Sequence, residues 1–497
     1  MRQDTTQADG SVVLASGSAG AGTAQPDTAV ALPKIAPFGA RLNVARRQLA
    51  LGPVSGRIAL GALMLGALVV VLFASARRSP LVPHSAFAFP GWEAGPLHGL
   101  IGGPIKNNST INIGFSVVLL AMTVAYGAAL LAVRTLSMRT IVIWVVVVHA
   151  ILLLGPPLQL TDLFNYLGYA RLGAVHHITP YTHTMGLEFH DPIFRFASWH
   201  HLRSPYGYLF TAITYPIAML PIPVAYWVLK LLAVVLSLVF IWLVWKCAQL
   251  LGRDGRFAVL FVAANPIYLM YAVAGFHNDF FMLVPSTAAV ALLLSHRDRP
   301  AGAALMVAVF VKFTAVLLLP FLLIAVHPAK RRLQVLLGAL LAAIPLAAVS
   351  FALFGLTIPN LQDQSTLLTD FSVPNVLGDL LHIGGTPLLL RIANVGLVIT
   401  VLYCLRRRGD WLAGAGWSTF ALVASLAWLV PWYVIWVLPL AALGTSIYLR
   451  RAAIAFTVYL VIAFMPATGM FFGAHNIDLM ATPAGQASAA LQAKLAQ

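Results

Sequence analysis

Charged side chains are scarce in this chain of 497 residues. Asp, Glu, Lys and Arg together make up 9% of it, whereas 60% of the residues are hydrophobic and the mean hydropathy is +0.87. A soluble globular protein carries about 25% charged residues. The composition therefore excludes a soluble globular domain, and the apolar runs predict an all-α polytopic membrane protein.

Cysteine is almost absent, and acidic residues are few. The two cysteines, Cys247 and Cys404, provide neither a disulfide framework nor a cysteine-based metal site. The 31 basic residues outnumber the 15 acidic ones, which leaves a net charge of +16. Because the basic residues stand in short clusters between apolar runs, they indicate membrane orientation and attraction to anionic lipid. We expect the lipid bilayer as a partner, and no nucleic acid.

The apolar runs predict about 13 transmembrane segments within residues 57–466. Residues 1–56 are expected to form a largely disordered cytoplasmic tail, and residues 467–497 an outer C-terminal tail. A span needs about 20 apolar residues. Such runs lie near 57–75, 112–133, 139–157, 224–245, 256–272, 279–295, 333–354, 388–405, 411–430, 432–449 and 452–466. Residues 300–326 contain Lys312 and Pro320 and predict a hairpin of two short helices.

A polar insert, residues 158–222, interrupts the apolar runs. It is dense in Asp, His, Tyr and Pro, and beside lipid such a segment must face water or line a cavity. If its last part, 206–222, does not span, most Lys and Arg lie on the cytoplasmic side, as the positive-inside rule requires. The insert, the loop 355–387 and the turn 277–279 then share the outer face, which also receives Lys312 and the turn Pro431-Trp432-Tyr433.

Asp162 is the candidate catalytic residue of the insert. One interpretation is an interfacial helix cap that faces water. The other is a general base, because a carboxylate in a semi-dry cleft can accept a proton from an attacking hydroxyl and burial raises its pKa toward the working range. Only 15 acidic residues are present, and each is costly beside lipid.

Histidines are frequent in the insert, which invites a metal site. Their spacing is irregular and no Cys or paired acid joins them, so structural or substrate-contacting histidines are favoured and no metal or other cofactor is expected. The turn His277-Asn278-Asp279 is either an exposed turn or part of the site. Lys312 and Arg391 either snorkel toward the interface or bind a lipid phosphate.

Several motifs resemble those of a known family. They are Asp-Leu-Phe-Asn-Tyr at 162–166, Thr-Pro-Tyr at 179–181, Asp-Pro-Ile-Phe at 191–194, Ser-Pro-Tyr-Gly at 204–207, His-Asn-Asp at 277–279, Val-Lys-Phe-Thr-Ala at 311–315 and Pro-Trp-Tyr-x-x-Trp at 431–436. Across residues 110–466 the chain resembles GT-C glycosyltransferases. It is most similar to the actinobacterial α-1,6-mannosyltransferases that use polyprenol-phosphate-mannose to build lipomannan-type chains.

The resemblance implies a GT-C fold whose large outer first loop contains amphipathic helices and the catalytic Asp, here Asp162. It also implies inverting transfer of a hexose, mannose in the most similar relatives, from a polyprenyl-phosphate donor to a hydroxyl of a glycan or glycolipid. The site would lie on the extracytoplasmic face of the plasma membrane. Thr179 replaces a frequent Asn, and Tyr208 stands where Pro is frequent. No second acid follows Asp162 at two residues, which argues against a metal.

A fuller hypothesis for the site follows. Asp162 is the general base, and Lys312 and Arg391 bind the donor phosphate. The substrate pocket is expected to include Tyr166, His177, Tyr181, Asp191, Ser204, Tyr206, His277, Asn278, Asp279, His382, Trp432 and Tyr433. The alternatives are a GT-C transferase for arabinofuranose or glucose and, from another class, a lipid-sugar flippase or transporter, which would be expected to show internal repeats and a mid-membrane site.

The predicted orientation can be tested by cysteine labelling. In a background with both native cysteines replaced by serine, an impermeant thiol reagent added outside should label His183→Cys and Gln362→Cys but not Lys330→Cys. The reason is that the first two positions lie on the outer side if 206–222 does not span. Labelling of Gln362→Cys only from the cytoplasm would show that 206–222 crosses the membrane.

Overall fold

The computed structural model describes residues 52–496 except 83, 86, 87, 102–104, 106, 358, 360–366, 383–386 and 408. Most of the predicted N-terminal tail, and Gln362 in the loop 355–387, lie outside these residues. Within the described residues the regular structure is helical, with no strand. The prediction of an all-α polytopic membrane protein is confirmed.

Six of the described helices are long and apolar enough to cross a bilayer. They are Pro53–Ala74, Asn108–Leu131, Ile222–Leu250, Ala329–Phe354, Pro387–Arg406 and Ile447–Phe464. Polar residues cap the N-termini of two of these helices. Asn107 accepts a hydrogen bond from the Thr110 N–H at 3.1 Å, and Ser446 accepts one from the Leu449 N–H at 3.2 Å. Of the apolar segment Leu388–Arg406, only 6% is buried, which leaves an apolar surface for lipid.

Shorter helices fill the spaces between the long ones. They are Gly91–Ala94, Met138–Leu154, Asp162–Ala174, Tyr208–Ala218, Gly255–Ala263, Asp279–Leu294, Asp298–Val311, Leu319–Ala325, Val373–Leu380, Trp411–Ser425, Leu438–Leu443, Pro466–Ala474 and Pro483–Ala496. Single-turn 3₁₀ or π segments complete the set at Val133–Thr135, Met185–Glu188, Phe194–Phe196, Tyr268–Val273, Phe313–Leu318 and Pro431–Trp436.

The predicted helix 432–449 is wrong. Pro431–Trp436 is a 3₁₀ turn, Leu438–Leu443 is a separate short helix, and Gly444 ends it in an extended conformation. Ser446 then caps the next helix, Ile447–Phe464, which begins five residues before the predicted 452. The cause is local, because prolines start both short pieces and each proline removes a backbone donor.

Two features of the fold place the site. Lys312 is the extended residue between Asp298–Val311 and Phe313–Leu318, so the chain breaks at this lysine as the predicted hairpin requires. Tyr208–Ala218 has 11 residues, which span about 16 Å at 1.5 Å per residue and are too short to cross a bilayer about 30 Å thick.

The C-terminal helix Pro483–Ala496 packs back onto the insert. The Leu495 carbonyl accepts a hydrogen bond from the His201 N–H at 2.9 Å, and Leu495 packs with Leu202 and Leu367. The Leu368 N–H donates to Ser488 Oγ at 2.7 Å. The segment predicted as a tail therefore forms an ordered helix that joins the insert to the chain around 367–368.

Candidate active site

The start of the helix Asp162–Ala174 is clamped against the returning part of the insert. Thr161 Oγ1 lies 2.5 Å from Ser198 Oγ, and Asn165 Oδ1 accepts a hydrogen bond from the Ser198 N–H at 3.0 Å. The Leu158 N–H donates to the Ala274 carbonyl at 3.0 Å. The bonds to Ser198 fix the first turn of the helix, where Asp162 is the first residue, and the bond from Leu158 ties the loop before it to the segment that leads to the turn 277–279.

Asp162 faces His277. Asp162 Oδ2 lies 3.4 Å from His277 Nδ1, and the imidazole stacks on the Trp432 ring at 3.9 Å between centroids and 14° between planes. Burial lowers the pKa of His277 to about 3, so the ring is neutral at physiological pH. A neutral imidazole whose Nδ1 faces a carboxylate holds its proton on Nδ1, and we assign that tautomer here.

Burial raises the pKa of the Asp162 carboxyl to about 6. The neighbouring Asp279 adds to the rise, whereas Asn165 and Lys312 oppose it. A carboxylate with this pKa is ionised at neutral pH and is a stronger base than an exposed aspartate. The geometry and the charge of Asp162 therefore suit proton abstraction from a hydroxyl.

Tyr166 lies behind this pair. Its hydroxyl accepts a hydrogen bond from the Asn278 N–H at 3.2 Å and lies 3.5 Å from both Asn278 Oδ1 and His277 Nδ1. The Tyr206 ring meets the Tyr166 ring edge-on, with centroids 4.9 Å apart. Tyrosines from the insert thus hold the turn 277–279 in place.

Asp279 pairs with Lys312. Lys312 Nζ donates to Asp279 Oδ1 at 2.7 Å, and the same oxygen accepts a hydrogen bond from Trp436 Nε1 at 2.6 Å. The ammonium also lies over the rings of Tyr433 and Trp436, at 4.9 and 4.7 Å from their centroids. One charge-assisted hydrogen bond and two aromatic faces hold the lysine head group, and the bond from Trp436 holds the carboxylate that the lysine pairs with.

We call these residues the central cluster: Asp162, Tyr166, Tyr206, His277, Asn278, Asp279, Lys312, Trp432, Tyr433 and Trp436. Its charged side chains differ in access. Those of Asp162 and Lys312 are 17% and 22% exposed, whereas that of Asp279 is 1% exposed. One base and one cation are therefore open to a substrate, and Asp279 supports them from behind.

Three predicted pocket residues have structural partners within the insert instead. Tyr181 is buried, and its hydroxyl lies 2.9 Å from Thr211 Oγ1. Asp191 accepts hydrogen bonds from Arg171 Nε at 2.9 Å and pairs with His176 at 2.7 Å. Ser204 is buried, and its N–H donates to the Pro180 carbonyl at 2.8 Å. These residues shape the insert. The Tyr181 hydroxyl also donates to the Tyr206 carbonyl at 3.0 Å, so Tyr181 supports the backbone of one cluster residue and does not face the charged side chains.

Three other predicted residues are exposed: His177, His382 and Arg391. His177 and His382 have left-handed backbone conformations, with φ of 58° and 53°, at the ends of helical segments. Arg391 lies in the helix Pro387–Arg406. Among the described contacts none brings these three side chains to the central cluster.

An apolar pocket opens beside Trp436. Its lining comes from the helices Asp279–Leu294 and Trp411–Ser425 and from the short segments around 314–318 and 436–443. The side chains include Met282, Leu318, Leu422 and Trp436, and the empty volume of about 610 Å³ includes open solvent at the mouth. Trp436 thus belongs to both the pocket and the central cluster.

Family models match most of the chain. Residues 64–328 match the alpha-(1->6)-mannopyranosyltransferase, N-terminal domain, and residues 384–492 match the MptB C-terminal domain. The first match contains Asp162, His277 and Lys312, and the second contains Trp432. The chain belongs to the alpha-(1->6)-mannopyranosyltransferase family.

Two relatives of this family come from Mycobacterium tuberculosis. Alpha-(1->6)-mannopyranosyltransferase A is 29% identical over an alignment of 268 residues, and the match covers 47% of this chain and 52% of the relative. A second alpha-(1->6)-mannopyranosyltransferase is 26% identical over an alignment of 409 residues, and the match covers 66% of this chain and 69% of the relative. No solved structure matches the chain. The predicted family, of the GT-C type, and its glycosyltransferase class are confirmed.

Two residues of functional interest were missed from sequence. Trp436 was not among the predicted pocket residues, yet its indole N–H donates to Asp279 at 2.6 Å. Lys230 was overlooked inside the apolar run 224–245, where it is fully buried. A lysine within a membrane helix is itself the signal that could have found it.

The Asp162 pKa predicts the acid limb of the pH profile. We expect kcat/KM to fall about tenfold per pH unit below pH 6, because protonation removes the base and burial raises its pKa to about 6. Transfer rates between pH 4.5 and 8 would measure this limb, and Glu188→Gln, which changes another acid of the insert, should leave it unchanged. A limb near pH 4 would contradict a buried Asp162 base.

Proposed function

We propose that this protein transfers a mannosyl residue from a polyprenyl-phosphate donor to a hydroxyl of a glycan or glycolipid, with inversion at the anomeric carbon. The observation that carries the proposal is the central cluster, in which Asp162 and Lys312 are the accessible charged side chains. The family description and the names of the two relatives support mannose as the sugar and an α-(1→6) linkage.

In the proposed reaction the acceptor hydroxyl oxygen attacks the anomeric carbon while Asp162 takes the hydroxyl proton. The new bond joins the anomeric carbon to the acceptor oxygen. The bond to the phosphate oxygen breaks, and its electron pair leaves with the polyprenyl phosphate. The neutral His277 places its Nδ1 3.4 Å from Asp162 and so presents a polar group to the carboxylate without neutralising it. Lys312 stabilises the negative charge that builds up on the leaving phosphate.

The donor is expected to lie across Lys312. Its phosphate meets the ammonium, which keeps two N–H groups besides the one given to Asp279. Its polyprenyl chain enters the apolar pocket that Trp436 and Leu318 line. Trp436 lines the pocket and its ring centroid lies 4.7 Å from the ammonium, so one ligand with an anionic head and an apolar tail can fill both features.

The acceptor is expected from the side of Asp162, where the insert contributes Asp162, Tyr166 and Tyr206 to the central cluster. We place this site on the extracytoplasmic face of the plasma membrane, because the positive-inside rule assigns the insert to that side.

Asp162→Asn should abolish transfer while leaving folding and donor binding close to wild type. Loss of one general base typically costs about 10²–10⁴ in rate, and Asn keeps the size and polarity of the side chain. Transfer from defined polyprenyl-phosphate sugars by purified protein, with product analysis, measures the effect and the sugar preference together. Glu188→Gln is the matched control. Turnover of Asp162→Asn within threefold of wild type would remove Asp162 from the mechanism.

Transfer should persist in EDTA. The donor is already activated by its phosphodiester, and we propose that Lys312 supplies the positive charge that a metal would otherwise provide. The measurement is the initial rate of dialysed enzyme in chelator, before and after addition of Mg²⁺ or Mn²⁺. Loss of activity in chelator and recovery with either ion would contradict a metal-independent reaction.

Lys312→Met should weaken donor binding by about 2–4 kcal/mol, the cost of leaving a buried charge unpaired. The single variant also leaves Asp279 without its partner, so the double variant Lys312→Met/Asp279→Asn separates the two effects. If Lys312 binds the phosphate, the double variant regains thermal stability but not donor affinity.

Arg391→Met is the second arm of this experiment, since Arg391 is the other predicted phosphate ligand. Its exposed position outside the central cluster predicts unchanged affinity. Recovery of donor affinity in the double variant would show that Lys312 serves only to neutralise Asp279. Loss of affinity in Arg391→Met alone would move the phosphate site to Arg391.

A further inference from the structure

Lys230 is a fully buried lysine in the apolar helix Ile222–Leu250. An ammonium in such a helix is expensive unless its donors and charge are met. Its Nζ donates to the Gly155 carbonyl at 2.6 Å. It also lies over the rings of Trp227 and Phe276, at 3.9 and 4.8 Å from their centroids.

The buried side chain of Glu93 also interacts electrostatically with Lys230. Two other distant partners, Gly155 and Phe276, belong to the chain segments that carry the reacting residues. Gly155 is the C-cap of the helix Met138–Leu154 and the first residue of the loop that leads to Asp162. Phe276 immediately precedes His277. One side chain therefore touches both chain segments that form the Asp162–His277 contact.

Both segments need to be held. Phe276 has a left-handed backbone conformation, φ 52°, which is uncommon for a bulky residue and persists only when its surroundings enforce it. The Gly155 carbonyl at the helix end has no partner in the next turn, so an N–H donor must satisfy it. The hydrogen bond from the Leu158 N–H to the Ala274 carbonyl ties the same two segments together closer to Asp162.

We propose that Lys230 is a positioning residue for the reaction: its ammonium fixes the loop before Asp162 and the turn before His277 in one register and so sets the 3.4 Å contact between them. The inference rests on the proposed function of Asp162 as general base. Lys230 touches no substrate in this arrangement. A displacement of about 1 Å in a catalytic group can cost about 10² in rate.

The test compares Lys230→Met with Lys246→Met, the same change at an exposed position of the same helix. We expect Lys230→Met to lower kcat about 10- to 100-fold with the KM for the donor within about twofold of wild type. We also expect the acid limb of its pH profile to move, because the environment of Asp162 changes. Hydrogen–deuterium exchange of peptides covering 155–162 and 274–279 should increase in Lys230→Met and not in Lys246→Met.

Each outcome decides the matter. The proposal is overturned if Lys230→Met folds and has wild-type kcat, acid limb and exchange. It is also overturned if Lys230→Met melts at a lower temperature or exchanges faster while kcat and the acid limb stay unchanged, because Lys230 would then have a structural role only. If Lys230→Met does not fold, Lys230→Gln keeps an N–H donor without the charge. An intermediate kcat with a displaced acid limb then supports the proposal, and wild-type values overturn it.

The proposed function can fail separately. If the wild-type protein transfers no sugar from polyprenyl-phosphate mannose, the proposed substrate is wrong, yet the exchange experiment still decides whether Lys230 holds the two segments together. Unchanged exchange in that case overturns the positioning role. Transfer by wild type together with unchanged kinetics in Lys230→Met overturns the positioning role alone.

Discussion

The ion pair between Lys312 and Asp279 is the interaction on which the rest of the site depends. An unpaired charge in so apolar a chain would cost several kcal/mol, and this pair joins the start of one helix to the break after another at 2.7 Å. Trp436 donates to the same carboxylate oxygen and places its ring beneath the ammonium. Three separate parts of the chain therefore meet at Asp279, and the accessible lysine is held in a defined position.

The insert adds the second charged group to this frame. Hydrogen bonds to Ser198 fix the first turn of its helix and a bond to Ala274 fixes the loop before it, so Asp162 meets His277 instead of pointing freely into solvent. The imidazole is stacked on Trp432 and is neutral, so it can orient the carboxylate without quenching its charge. Burial raises the pKa of Asp162 into the range where a carboxylate is an effective base.

The surroundings of the central cluster fit a substrate with one polar end and one apolar end. Lys312 and Asp162 face the polar side, and the apolar pocket begins at Trp436, which contacts both regions. A sugar linked through phosphate to a polyprenyl chain has the same division. If the proposed lipid-linked donor is correct, its head group reaches the cluster while its chain stays in apolar surroundings.

Sequence by itself determined the membrane class, most helix positions and much of the candidate site, because a polar residue in an apolar chain is costly and therefore informative. Asp162, the turn at 277–279 and Lys312 were found in this way. Only the tertiary structure decided their partners. Asp279 pairs with Lys312, 33 residues later in the chain, and accepts a hydrogen bond from Trp436, 157 residues later. Tyr181, Asp191 and Ser204 proved to be internal to the insert, and His177, His382 and Arg391 are exposed. Sequence spacing cannot separate these groups, because which polar residues meet depends on how distant helices pack.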